Sequence, residues 1–390
     1  MFKVRTYNRI AERGLAVFPV SRYQVGAGLD QPQALLLRSQ KLHGEPIPDS
    51  VLAVARAGAG TNNIPLVDYT RRGIVVFNTP GANANAVKEL VAAGLLLSSR
   101  DIIGGINFVQ SLNGIEDAAE MAGLLEAQKK RFAGSEIAGK TLGVIGLGAI
   151  GALVANMAIE LGMRVAGFDP AISVEAAWRL SSRVEKVDTL ETLLGLSDFV
   201  SLHVPANEQT RHLLNQATLA RMQPGARLLN FAREEIVDTS AVVHALEQGR
   251  LAAYVTDFPR PELLGRGNVV LLPHIGASTR EAEENCSVMA ASQLVDFLEN
   301  GNITNSVNFP TTRMRREAGG CRLTFSNDNV PRVLGGVLSI LADHDINVLD
   351  MVNKSRADIA YNIIDVESEP AAGVVSAIGC AEGVIRLRVV

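Results

Sequence analysis

Short apolar runs at residues 2–5, 34–37, 51–55 and 74–77 alternate with more polar stretches, the first of which, residues 8–15, has helical spacing. Apolar runs of four or five residues are the length of strands buried on both faces, and helical segments between them predict a parallel sheet. A long apolar helix is predicted over residues 86–99, with Lys88 and Glu89 in its first turn, and its apolar surface is expected to be buried between domains or against a partner subunit. Residues 104–139 hold glycines and charges in no interpretable pattern. The alternation then resumes, with strands predicted at 141–145, 164–168, 199–202, 227–231, 254–256 and 269–272 and helices at 152–161, 191–195, 240–247 and 281–299. Residues 300–320 are polar, contain Pro310, Arg313, Arg315 and Arg316, and finish in Gly319-Gly320, as a linker does. From Cys321 a smaller unit shows the order β-α-β-β-α-β, with its last strand at 384–389, which is ferredoxin-like. The predicted fold class is α/β, with two Rossmann-like doubly wound parallel-sheet domains and this C-terminal βαββαβ unit.

One stretch carries more than periodicity. The strand at 141–145 runs directly into Gly146-Leu147-Gly148-Ala149-Ile150-Gly151 and then into an apolar helix. In a strand–turn–helix, Gly146 permits the tight turn, Gly148 lets backbone approach a pyrophosphate, and Gly151 allows close helix–strand packing. The pyrophosphate would sit on unpaired N–H groups at the helix N-terminus. Asp169 ends the next strand, 18 residues beyond Gly151. A carboxylate there accepts from ribose hydroxyls and repels a 2′-phosphate, so the expected cofactor is NAD rather than NADP.

Composition adds limits rather than a function. The 390 residues are 47% hydrophobic, ample for two or three domains. Residues 1–25 mix Lys3, Arg5, Arg9, Glu12 and Arg13 with apolar residues and so form neither a signal-peptide core nor a membrane span, and a cytoplasmic protein is expected. Cys286, Cys321 and Cys380 are odd in number and lack metal-ligand neighbours, so no metal is expected. A net charge of −4 without a basic block argues against nucleic acid or membrane partners.

Polar residues gather just after the predicted strands. Arg38-Ser39, the run from Arg56 through Ala57, Gly58, Ala59 and Gly60 to Asn63, and the run from Asn78 to Asn85 follow three successive strands, where α/β sheets bind ligands, and together they suggest an anion site. Nicotinamide chemistry needs a group to exchange a proton with the substrate oxygen, a task for histidine, and a cation to hold a carboxylate, a task for a forked guanidinium. Of six histidines, His274 follows an apolar strand and precedes Gly276, which makes it the acid/base candidate. Arg233 follows another buried strand and is either a carboxylate ligand or the partner of Glu234 or Glu235.

Six segments in order, RAGAGTNNI at 56, NTPGANANAVKEL at 78, GKTLGVIGLGAIG at 139, LHVP at 202, NFAREEIVD at 230 and PHIGAST at 273, closely resemble the NAD-dependent D-isomer-specific 2-hydroxyacid dehydrogenases. The resemblance lies within the branch that oxidises 3-phosphoglycerate, the first step of L-serine biosynthesis. It implies that Arg233 binds the substrate carboxylate, that His274 is the acid/base, and that a glutamate tunes it. Counting from Asp257 makes that glutamate Glu262, whereas aligning Phe258-Pro259 with the family puts Pro261 in its place. The resemblance further implies cofactor contacts from Gly146, Gly148, Ala149, Ile150, Gly151, Asp169, His203, Val204, Pro205, Thr210, Ala232, Asp257 and Gly276. A phosphorylated substrate would be held by Arg38, Ser39, Arg56, Ala57, Gly58, Ala59, Gly60 and Asn83.

Glu234 stands where the family has glycine. The tail resembles an ACT domain, in which Asn329 and Asn347 match asparagines that bind serine, while Arg332 replaces a glycine. The implied organisation is a substrate domain from residues 1–88 and 278–310, an NAD domain at 89–277 with the active site in the cleft, a linker at 311–320, and an ACT regulatory domain at 321–390 that folds alone and docks flexibly. A homodimer or homotetramer and an L-serine effector are expected partners. The rival functions are glyoxylate or hydroxypyruvate reduction and a non-catalytic, NAD-sensing corepressor-like protein.

Overall fold

The computed structural model describes residues 1–316 and 320–390, so Gly319 of the expected Gly319-Gly320 linker lies outside the described residues. Two compact units are present, one of Met1–Asn83 with Arg280–Val390 and one of Ala84–Thr279.

In the first unit, β1 (Phe2–Thr6), β2 (Tyr23–Gly26), β3 (Ala34–Leu37), β4 (Ala53–Arg56) and β5 (Val75–Phe77) form a parallel sheet of order β2-β1-β3-β4-β5. The edge strand β2 was not anticipated, because only Tyr23 of its four residues is buried and no apolar run marks it. Helix Arg280–Asn300 covers one face, where Ala290, Leu294 and Phe297 share a core with Val4, Ala55 and Phe77.

The second unit holds β6 (Thr141–Ile145), β7 (Arg164–Phe168), β8 (Glu185–Lys186), β9 (Phe199–Leu202), β10 (Ala226–Asn230), β11 (Leu251–Thr256) and β12 (Val269–Leu271). Their order, β12-β11-β10-β9-β6-β7-β8, reverses direction between β6 and β9, and all pairs are parallel. Helix Ala84–Ser99 was expected to bury its apolar face between domains or against a second subunit. Its Val87, Val91 and Leu95 are instead internal to this unit, packed with Val144, Val154 and Val165. The uninterpreted stretch forms helices Ile102–Ser111 and Ala118–Gln128, started by Asp101 and Asp117, whose carboxylates accept from the Gly104 and Ala119 N–H groups. Neither helix buries a residue, which is why no buried face was legible.

A third sheet lies in the first unit: β13 (Cys321–Asp328), β14 (Val348–Arg356), β15 (Ile359–Val366) and β16 (Val384–Val389), antiparallel in the order β14-β15-β13-β16. Helices Val333–Ala342 and Ala372–Gly379 cover one face, with Val337, Leu341, Val374 and Ile378 against Leu323, Phe325 and Ile364. The expectation of a flexibly docked tail is corrected by the other face, where Ile359, Tyr361 and Ile363 belong to the same core as Phe297 and Phe309. Polar contacts reinforce the join. Arg388 donates to the Phe297 and Leu298 carbonyls at the C-terminal end of helix Arg280–Asn300, and Arg386 donates to the Asp49 and Val51 carbonyls ahead of β4.

The strongest polar tie is Arg322, which is fully buried. Its guanidinium grips Asp365 bidentately at 2.6 and 2.7 Å and donates its remaining N–H groups to the Asn300, Met314 and Arg315 carbonyls. All five donors are thereby used, the condition under which a buried ion pair is tolerated. Arg322→Ala should strand the Asp365 carboxylate and cost about 3–5 kcal/mol in urea unfolding. Truncation after Asn308 should likewise leave a destabilised, aggregating protein, which a melting curve and gel filtration would show.

Candidate active site

The turn after β6 needs its glycines for separate reasons. Gly146 has φ +88, and a Cβ there would lie 2.7 Å from the His203 carbonyl oxygen; one on Gly151 would lie 1.9 Å from the Gly146 carbonyl oxygen. A Cβ on Gly148 would meet nothing within 4 Å, so this backbone faces open space. No side chain caps helix Ala149–Glu160 at Gly148, which leaves its first-turn N–H groups, those of Ala149, Ile150 and Gly151, for an anion. Asp169 accepts from the Leu147 N–H at 2.8 Å and the Ala171 N–H at 2.9 Å. The carboxylate fixes the turn and keeps a lone pair on each oxygen for ribose hydroxyls. These residues fit a dinucleotide.

β9 delivers His203, Val204 and Pro205 to the other side of the switch point. The His203 ring lies 2.8 Å from Ser201 Oγ, and burial pushes its pKa down to about 3, so it is neutral at physiological pH. Thr210 closes the following loop by donating to the Pro205 carbonyl at 2.6 Å.

Buried Asn230 shapes the turn after β10, accepting from the Ala232 N–H and donating to the Arg233 carbonyl. Sequence reasoning overlooked it, although a polar residue ending an apolar strand was the available signal. Arg233 donates to the Ala232 carbonyl at 2.6 Å, and among the described residues it forms no ion pair. The Glu234 carboxylate pairs with Arg260 instead, so the alternative of an Arg233–Glu234 pair is removed.

Asp257, buried at the end of β11, accepts from the Ile275 N–H at 2.8 Å and the Gly276 N–H at 2.7 Å. Asp257, one of the expected cofactor contacts, thereby holds the loop of His274, a residue with φ +58 in the left-handed region. The exposed imidazole packs edge-on against the Phe258 ring, with centroids 5.1 Å apart. Glu262 lies exposed on the short turn Pro261–Leu263, and no hydrogen bond or ion pair among the described residues joins it to His274.

The first unit gathers the expected anion ligands at the ends of β3 and β4. Arg38 Nη2 is 2.7 Å from Glu283 Oε1, and Arg56 Nε donates to the Arg38 carbonyl at 2.9 Å. A Cβ on Gly60 would lie 2.6 Å from Arg56 Nη1, so the glycine loop from Ala57 through Gly58 and Ala59 makes room for that arginine. Asn8, which sequence reasoning missed, has φ +63 and accepts from the Ser39 and Gln40 N–H groups, fixing the turn after Arg38. Asn83 Oδ1 is buried with no hydrogen-bond partner among the described residues. In the βαββαβ portion, Asn329 donates to the Ala357 carbonyl at 2.9 Å, the Asn347 carbonyl accepts from the Glu367 N–H, and Arg332 has φ +79, in the left-handed region that favours glycine.

Residues 106–276 match the family model described as the NAD binding domain of D-isomer specific 2-hydroxyacid dehydrogenases. The chain is 33% identical over 350 residues to the D-3-phosphoglycerate dehydrogenase of Haemophilus influenzae, covering 87% of this chain and 81% of that one. It is 33% identical over 353 residues to the Escherichia coli K12 protein of the same name, covering 87% and 82%. It belongs to the D-isomer specific 2-hydroxyacid dehydrogenase family. Among solved structures, D-2-hydroxyisocaproate dehydrogenase superposes with a TM-score of 0.63 at 25% identity, over 79% of this chain and all of that one.

The Glu234–Arg260 ion pair joins the loop after β10 to the loop after β11. The neutral His203 ring gives a pH prediction. Its folded pKa of about 3 lies below the ordinary value of about 6.5, so between these values only the unfolded chain takes up the proton. This contribution to stability is full above about pH 6.5 and declines by up to about 1.4 kcal/mol per pH unit as pH falls. His203→Gln should flatten that part of the urea-midpoint profile between about pH 7.5 and 5 relative to wild type.

Proposed function

We propose that this chain oxidises 3-phospho-D-glycerate at C2 with NAD, giving 3-phosphohydroxypyruvate, the first step of L-serine biosynthesis. The observation that carries the reading is the similarity to D-3-phosphoglycerate dehydrogenases along 87% of the chain. Arg38 and Arg56 in the first unit supply cations for a phosphate, and Arg233, free of ion pairs, supplies a fork for the carboxylate. The division of labour follows: the first sheet binds substrate, the second binds NAD on Gly146–Gly151 and Asp169, and the third is an ACT-type regulatory module.

The Gly146–Gly151 turn and Asp169 would hold NAD, which would supply the acceptor for the hydride leaving C2. Arg233 orients the substrate by its carboxylate, and His274 Nε2 or Nδ1 takes the hydroxyl proton as the carbonyl forms. Asp257 and the Phe258 ring hold the imidazole in place by fixing its loop and its edge. Glu262 is retained as the carboxylate that tunes His274, a role that requires its side chain to turn toward the ring. Kinetics test these assignments. Turnover with 3-phosphoglycerate and NAD should exceed that with D-lactate or with NADP, and His274→Ala should lower kcat roughly 10²- to 10⁴-fold with little change in NAD affinity. Glu262→Gln should shift the pH profile, and an unchanged profile removes Glu262 from the mechanism.

Two partner assignments accompany this reading. Exposed Ile103, Ile106 and Val109 on a helix with no buried residue support a homo-oligomer in which a second copy covers them. The βαββαβ unit with Asn329 and Asn347 supports L-serine as effector; millimolar serine should lower turnover, and calorimetry with no heat of binding would reject it. No described helix is long and apolar enough to cross a membrane, and the three free cysteines support a cytoplasmic setting.

A further inference from the structure

Helix Arg280–Asn300 brings a carboxylate to the cation that is meant for the substrate. Arg38 and Glu283 are joined at 2.7 Å, and both side chains are 44% exposed. A half-exposed pair is screened by water and contributes little to stability, so it separates readily when a stronger anion arrives. The surroundings are those of an anion site. Arg56 Nε is tethered to the Arg38 carbonyl at 2.9 Å, which holds the two cations on neighbouring strand ends. Asn83 Oδ1, in the adjoining loop after β5, is buried with no hydrogen-bond partner among the described residues.

We propose that Glu283 is a positioning residue that sets the affinity of this site for the substrate phosphate by occupying Arg38 until that phosphate displaces it. The inference rests on the reading of the chain as a phosphoglycerate dehydrogenase. A phosphate monoester carries close to two negative charges near neutrality and three acceptor oxygens, so it outcompetes a carboxylate for a guanidinium. An uncharged hydroxymethyl group does not, and with D-glycerate the Arg38–Glu283 pair stays closed. Glu283 therefore weakens phosphate binding in absolute terms while keeping Arg38 in a fixed rotamer, and it leaves the hydride-transfer residues of the other unit untouched.

The test uses the full-length protein, with calorimetric binding of 3-phosphoglycerate and D-glycerate beside steady-state kinetics. Glu283→Gln should lower the Kd and KM for 3-phosphoglycerate about three- to tenfold, leave kcat and the D-glycerate constants unchanged, and lose its advantage as ionic strength rises. In an Arg38→Ala background the same Glu283→Gln change should have no effect, which a merely structural glutamate would not produce. An unchanged or weaker Kd for 3-phosphoglycerate in Glu283→Gln, or an equal gain for D-glycerate, overturns the inference. Wild-type protein that binds 3-phosphoglycerate without oxidising it would overturn the proposed reaction while leaving Glu283 to be judged by the binding data alone.

Discussion

A parallel sheet delivers the carboxyl end of every strand to one edge, and both candidate clusters of this protein follow from that constraint. In the NAD-binding unit the Gly146 turn, Asp169, His203 and Arg233 leave β6, β7, β9 and β10 side by side, because those strands are neighbours in register. In the other unit Arg38 and Arg56 leave the paired ends of β3 and β4. Residues far apart in sequence thus meet without long-range side-chain design. The reversal of strand order between β6 and β9 opens the space into which Gly148 looks.

Backbone delivers these groups, but buried side chains hold them. Asp257 and Asn230 lie under the exposed chemistry, one gripping the N–H groups after His274 and the other the turn before Arg233. Each is a buried polar group whose bonds are made to loop backbone, so the cost of burial is offset only while the loop keeps its shape. The Glu234–Arg260 pair ties the loop after β10 to the loop after β11, at the surface where screening limits its strength.

The C-terminal sheet shows the same logic on a larger scale. Its helix-free face is sealed by Tyr361 and Ile363 against the core of the first sheet, and Arg322, Arg386 and Arg388 bond to the backbone around it. Arg386 of this sheet holds the Asp49 and Val51 carbonyls ahead of β4, the strand that ends at Arg56.

Much of this was legible in the chain itself. Buried parallel strands are apolar on both faces, so β3, β6, β9 and β10 announced themselves, and a glycine turn between strand and helix with a distal acid is a local pattern with one dominant use. Arg233 and His274 stood out as candidates because ligand sites in this fold lie just after apolar strands. Tertiary structure alone decided the rest. The edge strand β2 and the helices Ile102–Ser111 and Ala118–Gln128 bury too little to leave a pattern. Whether Glu234 would pair with Arg233 or Arg260, whether Glu283 would reach Arg38, and whether the tail would swing or be sealed depend on residues tens to hundreds of positions apart. Such contacts are set by how sheets and helices pack, and no local periodicity encodes them.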